Sequence, residues 1–247
     1  MLHCLPFISD DGEHRTLHFS IDEVQSMMCP ARPFDLEVAY TKTMMGFLLT
    51  IPNPVHILMV GLGGGSIVKF CHRHLPATRM TVVEINPHVI AVRRQFSIPD
   101  DDERLRVVCA DAIDFVPDVG PQFDVILVDG YAQHGLAAQL CSQSFYRDCW
   151  RAMRERSVLA VNLDAGHPAH ATFVARIEQS FHGNAVPVDV NERDNCVVFA
   201  GKGVPISARG MSLSWSLKRH AAEAQVQLRP EFQRILRVLE RRANSSL

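Results

Sequence analysis

The stretch ILMVGLGGGS (residues 57–66) is an apolar run that leads into four glycines within five residues. It predicts a buried strand that turns sharply into a helix, because glycine reaches backbone angles closed to other residues and places no Cβ in the way of a ligand. Glycine-rich turns of this kind bind nucleotides, but a tight strand-to-helix turn uses the same residues for structural reasons alone. The loop by itself leaves both interpretations open.

Apolar strands alternate with helices on the C-terminal side of this turn. Strands are predicted at VHILMVG (55–61), RMTVVEI (79–85), LRVVCAD (105–111), FDVILVDG (123–130) and SVLAVNL (157–163), and helices at 66–75, 87–96, 144–153 and 169–181. Near-continuous Val, Ile and Leu strands separated by helices predict a parallel sheet covered on both faces. AVPVDV (185–190) and NCVVFAG (195–201) can pair as a closing hairpin. We therefore predict an α/β fold with a methyltransferase-type Rossmann sheet, in which such a hairpin closes the sheet.

The two ends of the chain differ from this central pattern. Residues 1–33 are predicted to form a small N-terminal β lobe of short extended pieces, which ends where Pro30 and Pro33 break regular structure. Residues 34–205 form the main domain and begin with a helix predicted within 35–49. In residues 206–247 apolar and basic residues alternate at helical spacing, so we predict a C-terminal tail of one or two amphipathic helices.

Composition limits the possible functions. A chain of 247 residues with 47% hydrophobic residues can bury one substantial core, and a net charge of -2 gives no basis for binding nucleic acid. We expect a small-molecule substrate. Neither a membrane helix nor a signal peptide is predicted, so we expect a soluble protein of the cytoplasm. The singly scattered cysteines and the loosely spaced histidines predict no disulfide and no metal site.

Acidic residues stand at the ends of three successive predicted strands. Glu84, Asp111 and Asp129 end the strands that follow the glycine loop. Because the carboxyl ends of parallel strands form the edge where open α/β sheets bind ligands, these acids should meet near Gly61. A carboxylate about 20 residues after the loop typically accepts hydrogen bonds from a ribose. Glu84 alone could also be a solvated carboxylate or a helix cap, but the arrangement as a whole favours a nucleoside site, with Asp111 able to receive an adenine amino group.

The spacing of the glycines indicates which nucleoside. A dinucleotide-binding loop follows G-x-G-x-x-G, and Ser66 occupies the third position of that pattern. Gly61, Gly63 and Gly65 follow G-x-G-x-G instead, which is common in methyltransferases. The predicted cofactor is therefore an adenosyl sulfonium of the S-adenosylmethionine kind rather than a nicotinamide.

From about Gln25 to Met153 the chain resembles the spermidine synthase family, the polyamine aminopropyltransferases. The resemblance is carried by VGLGGGSIVKF, TVVEINPHVI, VVCADAIDFV, FDVILVDGYAQHG and SQSFYRDCWRAM, which follow the order and spacing of the family's GGGDGG, VEID, GDG, DSSDP and FY-helix motifs. Met59 stands where ordinary methyltransferases usually carry an acid, and an apolar residue there is typical of spermidine synthases.

The resemblance implies a transferase that uses decarboxylated S-adenosylmethionine, or S-adenosylmethionine itself, and that forms a homodimer. It places the glycine loop under the nucleoside and aminopropyl end, Glu84 on the ribose, and Gln25 beside the thioether. The matched cofactor-binding positions are Gln25, Gly61, Gly63, Gly65, Glu84, Asp111 and Ala112, and the matched catalytic positions are Tyr40 and Asp129.

Several amine-binding positions depart from the family pattern. Gly64 replaces the loop aspartate, Ala132 replaces the second aspartate of DSSD, and Thr41 and Lys42 replace the residues after the tyrosine of Y-x-E. In the family those acids hold the cationic amine, and one helps to remove a proton from the attacking nitrogen, which needs a free lone pair. We therefore expect an acceptor other than a standard diamine.

Three alternatives stay open at this point. The first is true aminopropyl transfer with proton removal reassigned to Tyr40, Asp129 or His134, where Gln133 and His134 add polar groups to the loop after Asp129. The second is methyl transfer from S-adenosylmethionine. The third is a binding protein that keeps the nucleoside pocket without catalysis.

Overall fold

The computed structural model describes residues 3–20, 24–132, 135–190 and 195–245. Its strands, in chain order, are β1 (Phe7–Asp10), β2 (Arg15–His18), β3 (Val24–Met28), β4 (His56–Val60), β5 (Arg79–Glu84), β6 (Leu105–Cys109), β7 (Phe123–Val128), β8 (Tyr131–Ala132), β9 (Gly135–Leu136), β10 (Met153–Asp164), β11 (Ala185–Asp189) and β12 (Asn195–Lys202). Its helices are α1 (Ala39–Met44), α2 (Ser66–His74), α3 (Pro87–Ala91), α4 (Ala112–Phe115), α5 (Gln143–Ala152), α6 (His170–Ser180), α7 (Leu213–Leu217) and α8 (Ala222–Ser245).

Seven strands form the central sheet in the order β11-β12-β10-β7-β4-β5-β6. The five strands from β10 to β6 run parallel, while β12 is antiparallel to both β10 and β11. The predicted parallel sheet and its closing hairpin are therefore confirmed. A separate antiparallel sheet, β1-β2-β3, forms the N-terminal β lobe. The exact division of the chain at residues 33 and 205 stays a prediction.

The core lies on both faces of the central sheet, and β4 shows how one strand serves both. Ile57 and Met59 belong to one cluster of buried apolar side chains, whereas Leu58 and Val60 belong to another. Successive side chains of a strand point to opposite faces, so a strand covered on both sides must be apolar throughout. This is why the ILMV run forms a central strand and brings the glycine loop to the middle of the sheet edge.

Two predicted helices are shorter than expected. The first begins only at Ala39, because Val38 is extended, and it continues as a 3₁₀ helix over Met45–Leu49. The second, α3, ends at Ala91 and is followed by a 3₁₀ helix over Arg93–Phe96. The β-branched residues in its sequence, PHVIAV, lower helix propensity, which fits an early end.

The C-terminal tail packs on the core as predicted. Helix α8 buries Ala224, Leu228, Phe232, Ile235 and Leu239, which lie three or four residues apart and so share one face. Together with α7 it covers the region of α1. Among the described residues, no helix is both long and apolar enough to span a membrane.

Candidate active site

A cavity of about 880 Å³ lies at the carboxyl ends of the parallel strands, beneath strand β3 of the N-terminal β lobe. Its size is ordinary for a small-molecule site. It is lined by all of the predicted cofactor-binding and catalytic residues, namely Gln25, Tyr40, Gly61, Gly63, Gly65, Glu84, Asp111, Ala112 and Asp129. The structure thus brings together every matched cofactor-binding and catalytic position of the sequence.

Replacing Gly61 by any other residue would force the backbone to move. Its φ is 93°, in the left-handed region, and an added Cβ would collide with the main-chain carbonyl oxygen of Asp129. Its N–H donates to the carbonyl of Val83 at 2.9 Å. The first loop glycine therefore lets β4 turn beside the end of β7, which places the loop and Asp129 side by side.

Glu84 is 8% exposed and holds the loop to the next strand. Its Oε2 accepts from the Leu62 N–H at 2.8 Å and its Oε1 accepts from the Asn86 N–H at 2.8 Å. Burial raises the pKa of this carboxyl group, and the backbone hydrogen bonds oppose the rise. A carboxylate oxygen can accept more than one hydrogen bond, so a ribose hydroxyl could also donate to Glu84.

The alternative roles considered for Glu84 do not fit the structure. The side chain is buried rather than solvated. The cap of α3 is Asn86, whose Oδ1 accepts from the His88 N–H at 3.0 Å, while its Nδ2 donates to the Cys4 carbonyl at 2.8 Å. Asn86 therefore ties the N-terminal segment to the cavity, where His3 and Cys4 are also found.

Asp111 caps the N-terminus of helix α4, a helix that the sequence did not predict. Its Oδ1 accepts from the Ile113 N–H at 2.9 Å, and Ala112 is buried behind it. Ile85, an isoleucine that is 42% exposed, also lines this part of the cavity. An apolar surface beside hydrogen-bonding groups suits a flat heteroaromatic ring such as adenine.

Asp129 lies beside the glycine loop, and two side chains donate to it. The Tyr40 hydroxyl donates to Oδ2 and the Asn162 Nδ2 donates to Oδ1, both at 2.9 Å. Burial raises the pKa of Asp129, and the hydrogen bonds from Asn162 and Tyr40 oppose the rise. A desolvated carboxylate in this position can accept a proton from a bound substrate.

Among the cavity residues that sequence reasoning missed are Asn162, Asp164 and Asn195, which lie near Asp129 or on the strands beside it. A signal for Asn162 was present, because it is a polar residue in the otherwise apolar run SVLAVNL. Asn195 could be placed only from the register of β12 against β10, in which it pairs with Asp164.

The structure also locates the positions that depart from the family pattern. Thr41 lines the cavity, but Lys42 is half-buried and lies outside the described lining. A Cβ at Gly64 would lie 2.7 Å from the Ser26 Oγ and 3.0 Å from the Phe96 Cδ1. Gln133, His134 and the side chain of Ala132 fall outside the described residues.

The described lining of the cavity has an excess of negative groups. It contains the carboxylates Glu84, Asp111, Asp129 and Asp164, and among the described residues no lysine or arginine lines it. A concave site lined by one sign of charge attracts ligands of the opposite sign. The cavity is therefore suited to a cationic ligand.

Comparison with solved structures supports the class of fold. The protein is similar to a spermidine synthase in complex with the transition state analogue AdoDATO, with a TM-score of 0.64 at 20% identity over 94% of this chain and 84% of that one. It is also similar to human methyltransferase-like protein 13 in complex with SAH, with a TM-score of 0.61 at 22% identity over 81% of this chain and 93% of that one. The fold is thus the methyltransferase-like α/β fold that the sequence predicted.

Comparison at the level of sequence is more specific. The spermine/spermidine synthase domain matches residues 37–189. A polyamine aminopropyltransferase of Chromobacterium violaceum is 36% identical over 199 residues, which are 80% of this chain and 76% of that protein. The chain belongs to the spermine/spermidine synthase family, so the resemblance seen in the sequence motifs is confirmed, and the protein is a transferase of this kind.

Proposed function

We propose that the protein transfers an alkyl group from an adenosyl sulfonium donor to an amine nitrogen, with decarboxylated S-adenosylmethionine as the preferred donor. One observation carries the proposal. Asp129, half-buried and held by Tyr40 and Asn162, stands beside the glycine loop in a cavity with four described carboxylates and no described lysine or arginine.

The nucleoside end of the cavity supplies the binding contacts. Glu84 would accept from the ribose hydroxyls, Asp111 from the adenine amino group, and Ile85 would cover the ring. Gln25, on β3 above the glycine loop, is in the part of the cavity that the resemblance assigns to the thioether. These residue types match the polar and apolar parts of an adenosyl group, so the site fits this ligand.

Proton removal is the chemical task left to the protein. A sulfonium donor supplies an electrophilic carbon and a neutral thioether leaving group, so no general acid is needed. The attacking nitrogen must lose a proton, because an ammonium has no lone pair. Asp129 would accept that proton, and its raised pKa makes it a stronger base than an exposed aspartate. Tyr40 would fix the orientation of its carboxylate.

Charge favours the decarboxylated donor. S-adenosylmethionine carries a carboxylate, which would enter a cavity lined by Glu84, Asp111, Asp129 and Asp164 without a described basic side chain. The decarboxylated donor carries two positive charges and no negative one. Like charges in a partly desolvated site repel, and opposite charges attract.

The acceptor is proposed to differ from a standard diamine. Positions 64 and 132 are a glycine and an alanine, so neither supplies a carboxylate that would offset the desolvation of a dication. Losing two charge-assisted hydrogen bonds at about 1.5 to 3 kcal/mol each would weaken capture by about two to four powers of ten. Asp164 lines the cavity and Lys42 does not, so one ammonium group can still be accommodated.

The experiment begins with two ligands that differ by the amino acid portion. Methylthioadenosine and S-adenosylhomocysteine are titrated into the protein by calorimetry, and we expect methylthioadenosine to bind more tightly. Each sulfonium donor is then incubated with a panel of amines that includes putrescine. Mass spectrometry distinguishes aminopropyl from methyl products. Asp129→Asn is the matched variant, and it should keep methylthioadenosine binding while transfer is lost.

Each other result leads to a different conclusion. If neither ligand binds, the proposed nucleoside site is wrong. Ligand binding without transfer to any amine would indicate a binding protein, and methyl products would indicate a methyltransferase. Efficient spermidine formation from putrescine would contradict the proposed acceptor.

The homodimer stays a prediction, and a monomeric mass by light scattering at micromolar concentration would contradict it.

A further inference from the structure

Three neighbouring strands contribute one side chain each to a chain of hydrogen bonds. Asp129 follows β7, Asn162 lies on β10 and is 1% exposed, and Asn195 begins β12. The Asn195 Nδ2 donates to the Asn162 Oδ1 at 3.0 Å, and the Asn162 Nδ2 donates to the Asp129 Oδ1 at 2.9 Å. Asn195 thus reaches Asp129 through a single intermediate amide.

The direction of both hydrogen bonds follows from chemistry. An ionised carboxylate only accepts, so the amide NH₂ of Asn162 must face Asp129. Its carbonyl oxygen then faces Asn195, which must donate. If Asn195 could not donate, the buried Asn162 amide would lose the partner that fixes its orientation.

We propose that Asn195 is a positioning residue, which keeps the amide of Asn162 turned toward Asp129 so that the Asp129 carboxylate stays a proton acceptor. The inference rests on the proposed function, since it concerns the same base. It adds a residue of β12 that hydrogen-bonds to Asn162 rather than to Asp129 itself.

The groups that face Asp129 are few in the described structure. Tyr40 faces it from α1 and Asn162 faces it from β10, and the glycine loop contributes only main chain. The other acids of the cavity are Glu84, Asp111 and Asp164. Asn162, one of the two side chains that donate to Asp129, in turn accepts from a second amide, that of Asn195.

Asn195→Asp tests the orientation directly. The new carboxylate has the same shape but accepts, so it would draw the Asn162 NH₂ toward itself and turn the Asn162 oxygen toward Asp129. Asp129 would then hold its proton to higher pH. We expect kcat/KM on the acid limb of the pH profile to fall by on the order of tenfold, which corresponds to a shift of about one pH unit, with recovery at higher pH.

Two further variants separate the effect of amide orientation from that of the added charge and from a general loss of stability. Asn195→Ala removes the donor without adding charge, and it should shift the profile in the same direction by less. Asn184→Asp is the matched control, because Asn184 also lies near the closing hairpin and donates to two carbonyls, those of Gly201 and Val204, away from the cavity. It should change stability without moving the pH profile.

A second measurement needs neither ligand nor turnover. The side-chain NH₂ signals of Asn162 in a ¹H–¹⁵N spectrum, assigned with Asn162→Asp, should move on replacing Asp129 by asparagine. In the Asn195→Asp background this response should be lost. Superimposable pH profiles, or Asn162 signals that are unchanged by the Asn195 variants, would overturn the proposal. If the unmodified protein shows no turnover, the proposed function fails and the spectra alone decide the role of Asn195.

Discussion

The two ends of the cavity are built in different ways. At the nucleoside end, the groups that would meet the ligand also hold the backbone, since Glu84 bonds to two main-chain N–H groups and Gly61 lies against the Asp129 carbonyl. At the acceptor end, Tyr40, Asp129 and Asn162 bond mainly to one another through side chains. Residues with a structural task cannot change freely, whereas the acceptor end can change its chemistry while the fold stays intact.

Gly61→Ala should have the largest effect. The substitution forces a side chain into the left-handed region and onto the Asp129 carbonyl. We expect a loss of about 3 kcal/mol or more in the free energy of unfolding, measured with denaturant, together with loss of methylthioadenosine binding. Gly120→Ala is the control, because a Cβ at Gly120 has no neighbour within 4 Å. Equal stability of the two variants would contradict the structural role of the loop.

Glu84→Gln should weaken nucleoside binding at nearly constant shape. The amide keeps one oxygen but loses the charge and places an NH₂ against a main-chain N–H. We expect the affinity for methylthioadenosine to fall by about one to two powers of ten, from about 1.5 to 3 kcal/mol. Asp111→Asn can still cap α4 and should cost less. Unchanged affinity in Glu84→Gln would show that the ribose contact is misassigned.

Gly64→Asp restores an acid at the acceptor end, but the new side chain would collide with Ser26 of the N-terminal β lobe and with Phe96. Its Cβ would press on Ser26 and Phe96, so we expect a loss of about 1 to 3 kcal/mol in stability and no gain in activity. Adding Ser26→Gly removes one of these contacts. With Ala132→Asp as well, activity toward putrescine should rise above that of the unmodified protein. If Gly64→Asp alone were fully stable, the contact between the lobe and the loop would be looser than the structure shows.

Asn86→Asp should have the smallest effect. A carboxylate still accepts from the His88 N–H and so keeps the helix cap, but it cannot donate to the Cys4 carbonyl. We expect stability to change by about 1 kcal/mol and the N-terminal segment to become more accessible to protease. Deleting residues 1–6 in the same variant should add little. An unchanged rate of proteolysis would contradict the idea that the hydrogen bond from Asn86 to Cys4 holds the N-terminal segment in place.

Which residues line the proposed nucleoside end could largely be predicted from the sequence, because these residues sit at fixed places relative to strands. Gly61, Glu84 and Asp111 follow apolar runs directly, and the edge of a parallel sheet brings such positions together. Their individual roles were less predictable. That Asn86 rather than Glu84 caps α3 depends on backbone angles that the apolar pattern does not reveal.

The acceptor end was less predictable for two physical reasons. Whether Lys42 points into the cavity depends on where α1 begins, since each residue rotates the side chain by about 100° around the helix axis. The contact of Asn162 with Asn195 depends on strand register, and a shift by one residue would turn Asn195 to the opposite face. Neither the first residue of α1 nor the strand register can be read from the spacing of residues in a short stretch of sequence.

The positions of Asp129, Asn162 and Asn195 along the chain also have a consequence for the order of folding. The nucleoside end is assembled from residues 25 to 112, whereas the hydrogen-bond chain at Asp129 requires β12 to have paired with β10. Contacts between residues far apart in sequence form more slowly, because more chain must be ordered first. During refolding, we therefore expect the ability to bind methylthioadenosine to return no later than transferase activity, and a nascent chain that ends before residue 195 to lack the complete base.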